Sequence, residues 1–267
     1  MVPSPAVIVL AFLGAVQPGA SALVPRQAAG CATGVHMIVA RASTERPGPG
    51  IIGGVANRVQ SQIPGSDMVS VDYPAQLNPY QPSQRAGVTA MTKLVQDYAT
   101  QCPESKMVLM GYSQVGDAVP GFTKKDHSIM GHTLDLQNIG NQQGAHVTAD
   151  VLCGTSEPNF PATQPVAADI ADKIAAVVLM GDPSHVPSQP FNKGTAKNNG
   201  VFPRGDSAAC GALASRMASF CDSGDTFCDS GNSLQVHMGY VRRSGDAAAS
   251  FIVGMVQGGG ATRNVTG

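Results

Sequence analysis

Ser113 lies in the stretch Val108-Leu109-Met110-Gly111-Tyr112-Ser113-Gln114-Val115-Gly116. An apolar run ending in Gly-x-Ser reads as a nucleophile elbow, the sharp turn that lifts a serine hydroxyl above a sheet. The elbow motif is G-x-S-x-G, and here Val115 stands where the second glycine belongs. A serine nucleophile needs a base to take its proton, a carboxylate to orient that base, and donors to hold an oxyanion. In the chain order Ser, acid, His, two histidines lie well beyond the elbow region, His185 and His237. His185 follows "GDPS" at a strand end and reads as a surface-loop residue. His237 follows a short loop between Cys221 and Cys228 that contains Asp225, with Asp222 and Asp229 nearby. A closed cysteine loop would fix Asp225 in place, and a rigid carboxylate holds an imidazole in one tautomer. The plain alternative for each aspartate is a turn former beside Ser and Gly.

These residues need a scaffold, and the pattern supplies one. Residues 34–42, 67–74, 106–113, 173–183 and the end of 214–224 read as strands. Helical spacing appears at 51–63, 82–102 and 246–256. Strands alternating with helices imply a mostly parallel sheet covered on both faces. Sites in such sheets lie at the carboxyl ends of strands. That selects Ser43, Asp72, Ser113, Asp182 and Asp225 for inspection.

Composition bounds the rest. The 267 residues suffice for one domain, and 31 glycines with 19 prolines imply many turns. A net charge of −1 gives no electrostatic case for nucleic acid or a membrane surface. Residues 1–22 read as a signal peptide, with an apolar run at 5–16 and Ala20-Ser21-Ala22 as the cleavage site. Six cysteines suit an oxidising compartment: Cys31, Cys102, Cys153, Cys210, Cys221 and Cys228. No C-x-x-C pair occurs and the histidines are scattered, so no metal is expected. Asn264 heads a glycosylation sequon.

The chain resembles the fungal cutinase and acetylxylan esterase family. Four segments carry the likeness in order: "IVARASTE" (38–45), "GYSQ" (111–114), "CDSGDTFC" (221–228) and "GNSLQVHMGY" (231–240). The resemblance implies an α/β fold: a small α/β-hydrolase, three-layer sandwich with a five-stranded, mostly parallel sheet, as a single domain over 23–267. It implies Ser113 as nucleophile, His237 as base and Asp225 as its orienter. Ser43 and Gln114 would supply the oxyanion hole. It also implies the disulfides Cys31–Cys102, Cys153–Cys210 and Cys221–Cys228. No cofactor is implied, and the expected state is a secreted monomer. "MGDPSHV", "PFNKGT" and the mixed stretch "NSLQV" before His237 lean toward acetyl esters on xylan. The alternative is a cutinase acting on aliphatic polyester. The absence of tryptophan removes one common sugar-stacking platform.

The likeness breaks after Gln114, where the family reads Gly-Tyr-Ser-Gln-Gly-Ala. The Gly-Ala pair returns 29 residues later as Gly144-Ala145. Residues 115–143 therefore read as an insertion inside the elbow, a poor place for one. Val115 and Gln143 can be encoded by GT-first and AG-last codons, and 29 codons keep the frame. The segment reads as a translated intron, with His127 and His132 as loop residues. If it is retained, the chain is expected to be a lidded enzyme or a catalytically impaired, non-enzymatic secreted protein.

Overall fold

The computed structural model describes residues 30–113 and 143–258. The signal peptide at 1–22, Gln114, residues 115–142 and the Asn264 sequon lie outside them.

In chain order the elements are β1 (Val35–Ala40), α1 (Gly53–Gln62), β2 (Asp67–Ser70), α2 (Tyr80–Gln101), β3 (Lys106–Tyr112) and α3 (Gly144–Cys153). Then follow α4 (Ala168–Ala171), β4 (Ile174–Met180), β5 (Asn192–Lys193), a 3-10 stretch (Ser207–Arg216), β6 (Met217–Phe220), α5 (Leu234–His237) and α6 (Tyr240–Gly258). The sheet order is β2-β1-β3-β4-β6-β5, and every neighbouring pair is parallel. The expectation of five strands is corrected to six. The sixth is β5, two residues long on the outer edge beside β6. A pair that short has no periodicity to read.

The continuous apolar runs follow from burial on both faces. Side chains alternate across a strand, so neighbours enter different cores. Ile38, Ala40, Leu109, Val177 and Leu179 face a core with Val88, Met91 and Val95 of α2 and Val147 and Val151 of α3. Met37, Val39, Val108, Met110, Val178 and Met180 face the other core, with Val55 and Val59 of α1 and Ala248 and Ile252 of α6. Each fully buried Leu or Ile contributes about 1.5–3 kcal/mol by leaving water. Three disulfides close the cores with the three expected pairings, Cys31–Cys102, Cys153–Cys210 and Cys221–Cys228.

The strand order reverses between β1 and β3, because the chain moves outward to β2 before crossing to the other side. A crevice opens at such a switch point. Two glycines set how closely α3 packs there. A Cβ on Gly111 would overlap the Gly144 carbonyl and Thr148 Oγ1. A Cβ on Gly144 would overlap the carbonyls of Ala40 and Tyr112. Gly144 thus sits directly over the end of β3.

Replacing Gly111 by Ala should cost about 1–3 kcal/mol or more, because backbone atoms cannot yield as side chains do. Gly254 faces open space on α6, so Gly254→Ala should stabilise by up to about 1 kcal/mol. Urea unfolding of both variants checks the contrast.

Candidate active site

Ser113 follows β3 directly, and its N–H donates to the Met180 carbonyl of β4 at 3.0 Å. The residue is fully buried, and its Oγ has no hydrogen-bond partner among the described residues. His237 ends α5, a single turn capped by Ser233, whose side chain accepts from the Val236 N–H. The ring is buried, with Nε2 unpartnered among the described residues. Gly181, at φ 68°, brings the two together. A Cβ there would lie 2.7 Å from His237 Cε1 and 3.3 Å from the Ser113 carbonyl. Tyr112, inside the elbow, donates its hydroxyl proton to the His237 carbonyl at 2.8 Å.

Asp225 faces the other side of the imidazole. Its Oδ2 is 2.8 Å from His237 Nδ1. Oδ1 accepts from the N–H groups of Phe227 and Cys228 at 2.7 and 2.9 Å. The loop that turns those amides inward is the one Cys221–Cys228 closes. Burial alone would raise the Asp225 carboxyl, but His237 and the two amides outweigh it and hold the carboxyl below its usual range. The His237 ring also stands edge-on to Phe227, with centroids 4.6 Å apart.

The loop that follows β1 is braced. Ser43 is buried just beyond β1. Glu45 accepts from the Ala42 and Ile51 N–H groups, each at 2.8 Å. Arg41 donates to the carbonyls of Glu45, Val71 and Tyr73, while the Tyr73 hydroxyl donates back to Arg41. Gln143, the residue before α3, is buried. Its side chain donates to the Gln76 and Tyr80 carbonyls and accepts from Ser83 Oγ at 2.8 Å.

Of the residues selected from the sequence, Ser43 follows β1, Ser113 follows β3, and Asp225 meets His237. The other candidates separate. Asp72 is exposed. Asp182 caps Ser184. Asp222 pairs with Arg243 at 3.2 Å. Asp229 accepts from the N–H groups of Lys197, Asn198 and Gly224, tying the 193–199 loop to the acid loop. His185 is buried rather than in a surface loop, and burial pushes its ring below the usual range. His127 and His132 lie outside the described residues.

Sequence reasoning missed Glu45, Tyr240 and a buried cluster under α3. His146, Asp150 and Glu157 bring ligand-type atoms within 4.8 Å of one another. Arg204 already stands among them, 2.7 Å from Asp150 and 2.9 Å from Glu157. A guanidinium so placed supplies the positive charge a metal ion would bring, and the cluster reads as a balanced core network.

The sequence model of the cutinase family matches residues 31–130 and 135–256. The chain belongs to the cutinase family. That makes it a carboxylic ester hydrolase by family. It is 28% identical over 236 residues to Cutinase 11 of Verticillium dahliae, covering 85% of this chain and 70% of the relative. It is 28% identical over 236 residues to the acetylxylan esterase of Hypocrea jecorina, covering 85% of this chain and 68% of the relative. The solved catalytic core domain of the Trichoderma reesei acetyl xylan esterase superposes with a TM-score of 0.69 at 28% identity, covering 84% of this chain and 99% of that one. The two matched pieces of this cutinase-family chain meet inside 115–143.

A depressed carboxyl adds stability that is complete above its unfolded value and is lost as pH falls through the folded one. Asp225 is such a group. The melting temperature of the wild type should therefore fall on acidification below about pH 4. Asp225→Asn should be less stable at neutral pH and show a weaker fall. A melting series from pH 7 to pH 2 decides this.

Proposed function

We propose that the chain is a secreted serine esterase that removes acetyl groups from xylan or a similar plant cell-wall polysaccharide. The observation that carries the reading is the bidentate approach of Asp225 to His237 Nδ1, with His237 Nε2 and Ser113 Oγ both unpartnered among the described residues. In this mechanism His237 takes the Ser113 proton as Oγ attacks the ester carbonyl. Asp225 stabilises the imidazolium that forms and fixes the tautomer. The tetrahedral oxyanion collects at N–H groups of the Ser43 loop and of the elbow glutamine, worth about 10²–10³ in rate for each donor. His237 then protonates the departing sugar oxygen. A water molecule, activated by the same imidazole, hydrolyses the acetyl-enzyme.

Backbone likeness to a solved acetyl xylan esterase favours acetyl esters over polyester. Three disulfides and the apolar run at 5–16 support secretion. p-Nitrophenyl acetate should be cleaved with a higher kcat/KM than the butyrate ester. Ser113→Ala should abolish the activity, and Asp225→Asn should lower kcat by about 10⁴. Ester cleavage that survives Ser113→Ala would sink the mechanism. A preference for longer acyl chains would favour the polyester reading.

The second proposal concerns residues 115–143, which we read as a translated intron. Gly144 already makes the close contacts of an elbow glycine, and Gln143 precedes it as the elbow glutamine should. Deleting 115–143 or 114–142 gives the same chain, with one glutamine between Ser113 and Gly144. The mature transcript should lack these codons, and the shortened protein should be the more active form. A transcript that retains them overturns the reading.

A further inference from the structure

Tyr240 begins α6 three residues after His237 and is fully buried. Its hydroxyl oxygen lies 2.8 Å from the Asp222 N–H, which can only donate, so the phenol oxygen accepts there. The phenol proton is then free to point elsewhere. Two atoms are in reach: Asp225 Oδ2 at 2.9 Å and Cys228 Sγ at 3.4 Å. Cys228 is locked in the disulfide with Cys221, and its sulfur is a weak acceptor beside a carboxylate. The direction of the bond is therefore forced: Tyr240 donates to Asp225.

The same oxygen, Oδ2, faces His237 Nδ1 at 2.8 Å. Oδ1 already takes the Phe227 and Cys228 amides. Tyr240 and the imidazole thus share Oδ2, while Nδ1 also lies 2.9 Å from Oδ1, and the phenol helps fix the carboxylate plane that the imidazole meets. The neighbours leave it little freedom. Its ring stands edge-on to both Tyr112 and His237, at 6.3 and 6.4 Å between centroids. The Arg243 guanidinium covers it at 5.0 Å, and that arginine is itself paired with Asp222. Burial raises the phenol above its usual range, so it stays a protonated donor through the working pH range.

We propose that Tyr240 is a positioning residue for the reaction: its hydroxyl orients the Asp225 carboxylate and draws off part of its charge, setting how strongly Asp225 holds the His237 imidazolium. The inference rests on the serine-esterase reading given above.

Tyr240→Phe removes only the hydroxyl. Charge withdrawn by the phenol returns to Asp225, which then holds the imidazolium more firmly. The acid limb of the kcat/KM profile on p-nitrophenyl acetate should move to higher pH, and kcat should fall roughly tenfold, the size expected for a hydrogen bond to a charged group. Tyr112→Phe is the comparison. Its hydroxyl touches the His237 carbonyl and not the carboxylate, so it should lower kcat without moving the limb. Should Tyr240→Phe not fold, incorporation of 3-fluorotyrosine at position 240 keeps the shape and makes a stronger donor, and the limb should then move to lower pH. An acid limb unmoved in Tyr240→Phe, or unmoved by the fluorinated residue, overturns the proposal. A wild type that is inactive, or as active after Ser113→Ala, would instead remove the esterase reading beneath it.

Discussion

The site depends on one close approach, the contact of Gly111 in β3 with Gly144 at the start of α3. With no Cβ on either side, the helix backbone rests on the strand's last carbonyls. Ser113 follows at the end of that strand, fully buried. The helix behind it fills one core with Val147, Val151 and Leu152. Ser113 is also pinned from β4 through Met180, and Gly181 leaves room for the imidazole to come up beside it. The position of Ser113 is thus tied to the packing of the sheet.

Asp225 and His237 are placed by different physics. Asp225 sits in the loop closed by Cys221–Cys228, whose inward amides suit an ionised carboxylate. His237 sits on one turn of helix, too short to be stable alone, and borrows its position from outside. Tyr112 holds its carbonyl, Arg243 holds the Val236 carbonyl, and Phe227 lies against its ring. Tyr112 joins the end of β3 to His237, and His237 in turn meets Asp225, so the three segments form one connected unit.

Much of this was legible in the sequence, for identifiable reasons. Buried parallel strands leave apolar runs, and four of the main ones appear within a few residues of the expected limits. Asp225 and His237 were readable because two cysteines frame the first and the second follows at fixed spacing. β5 was not, since two residues carry no pattern. Tyr240 gave no signal either: its role depends on the angle at which α6 leaves α5. The His146, Asp150, Glu157 and Arg204 network joins residues from distant parts of the chain, and single-sequence reading sees only local spacing. Gln143 reads from the sequence as the end of an insertion, and its burial against Gln76, Tyr80 and Ser83 leaves no trace in local spacing.

The sheet's outer strands have a consequence beyond the site. At one margin β2 runs for four residues, and at the other β5 runs for two. A free strand margin is a row of unpaired amides and carbonyls on which another chain can grow. Here that row is cut short on both sides, while the long strands β1, β3 and β4 are enclosed between neighbours. The architecture that gathers the reacting groups at the middle of the sheet also withholds the sheet's own templating surface from other copies of the protein.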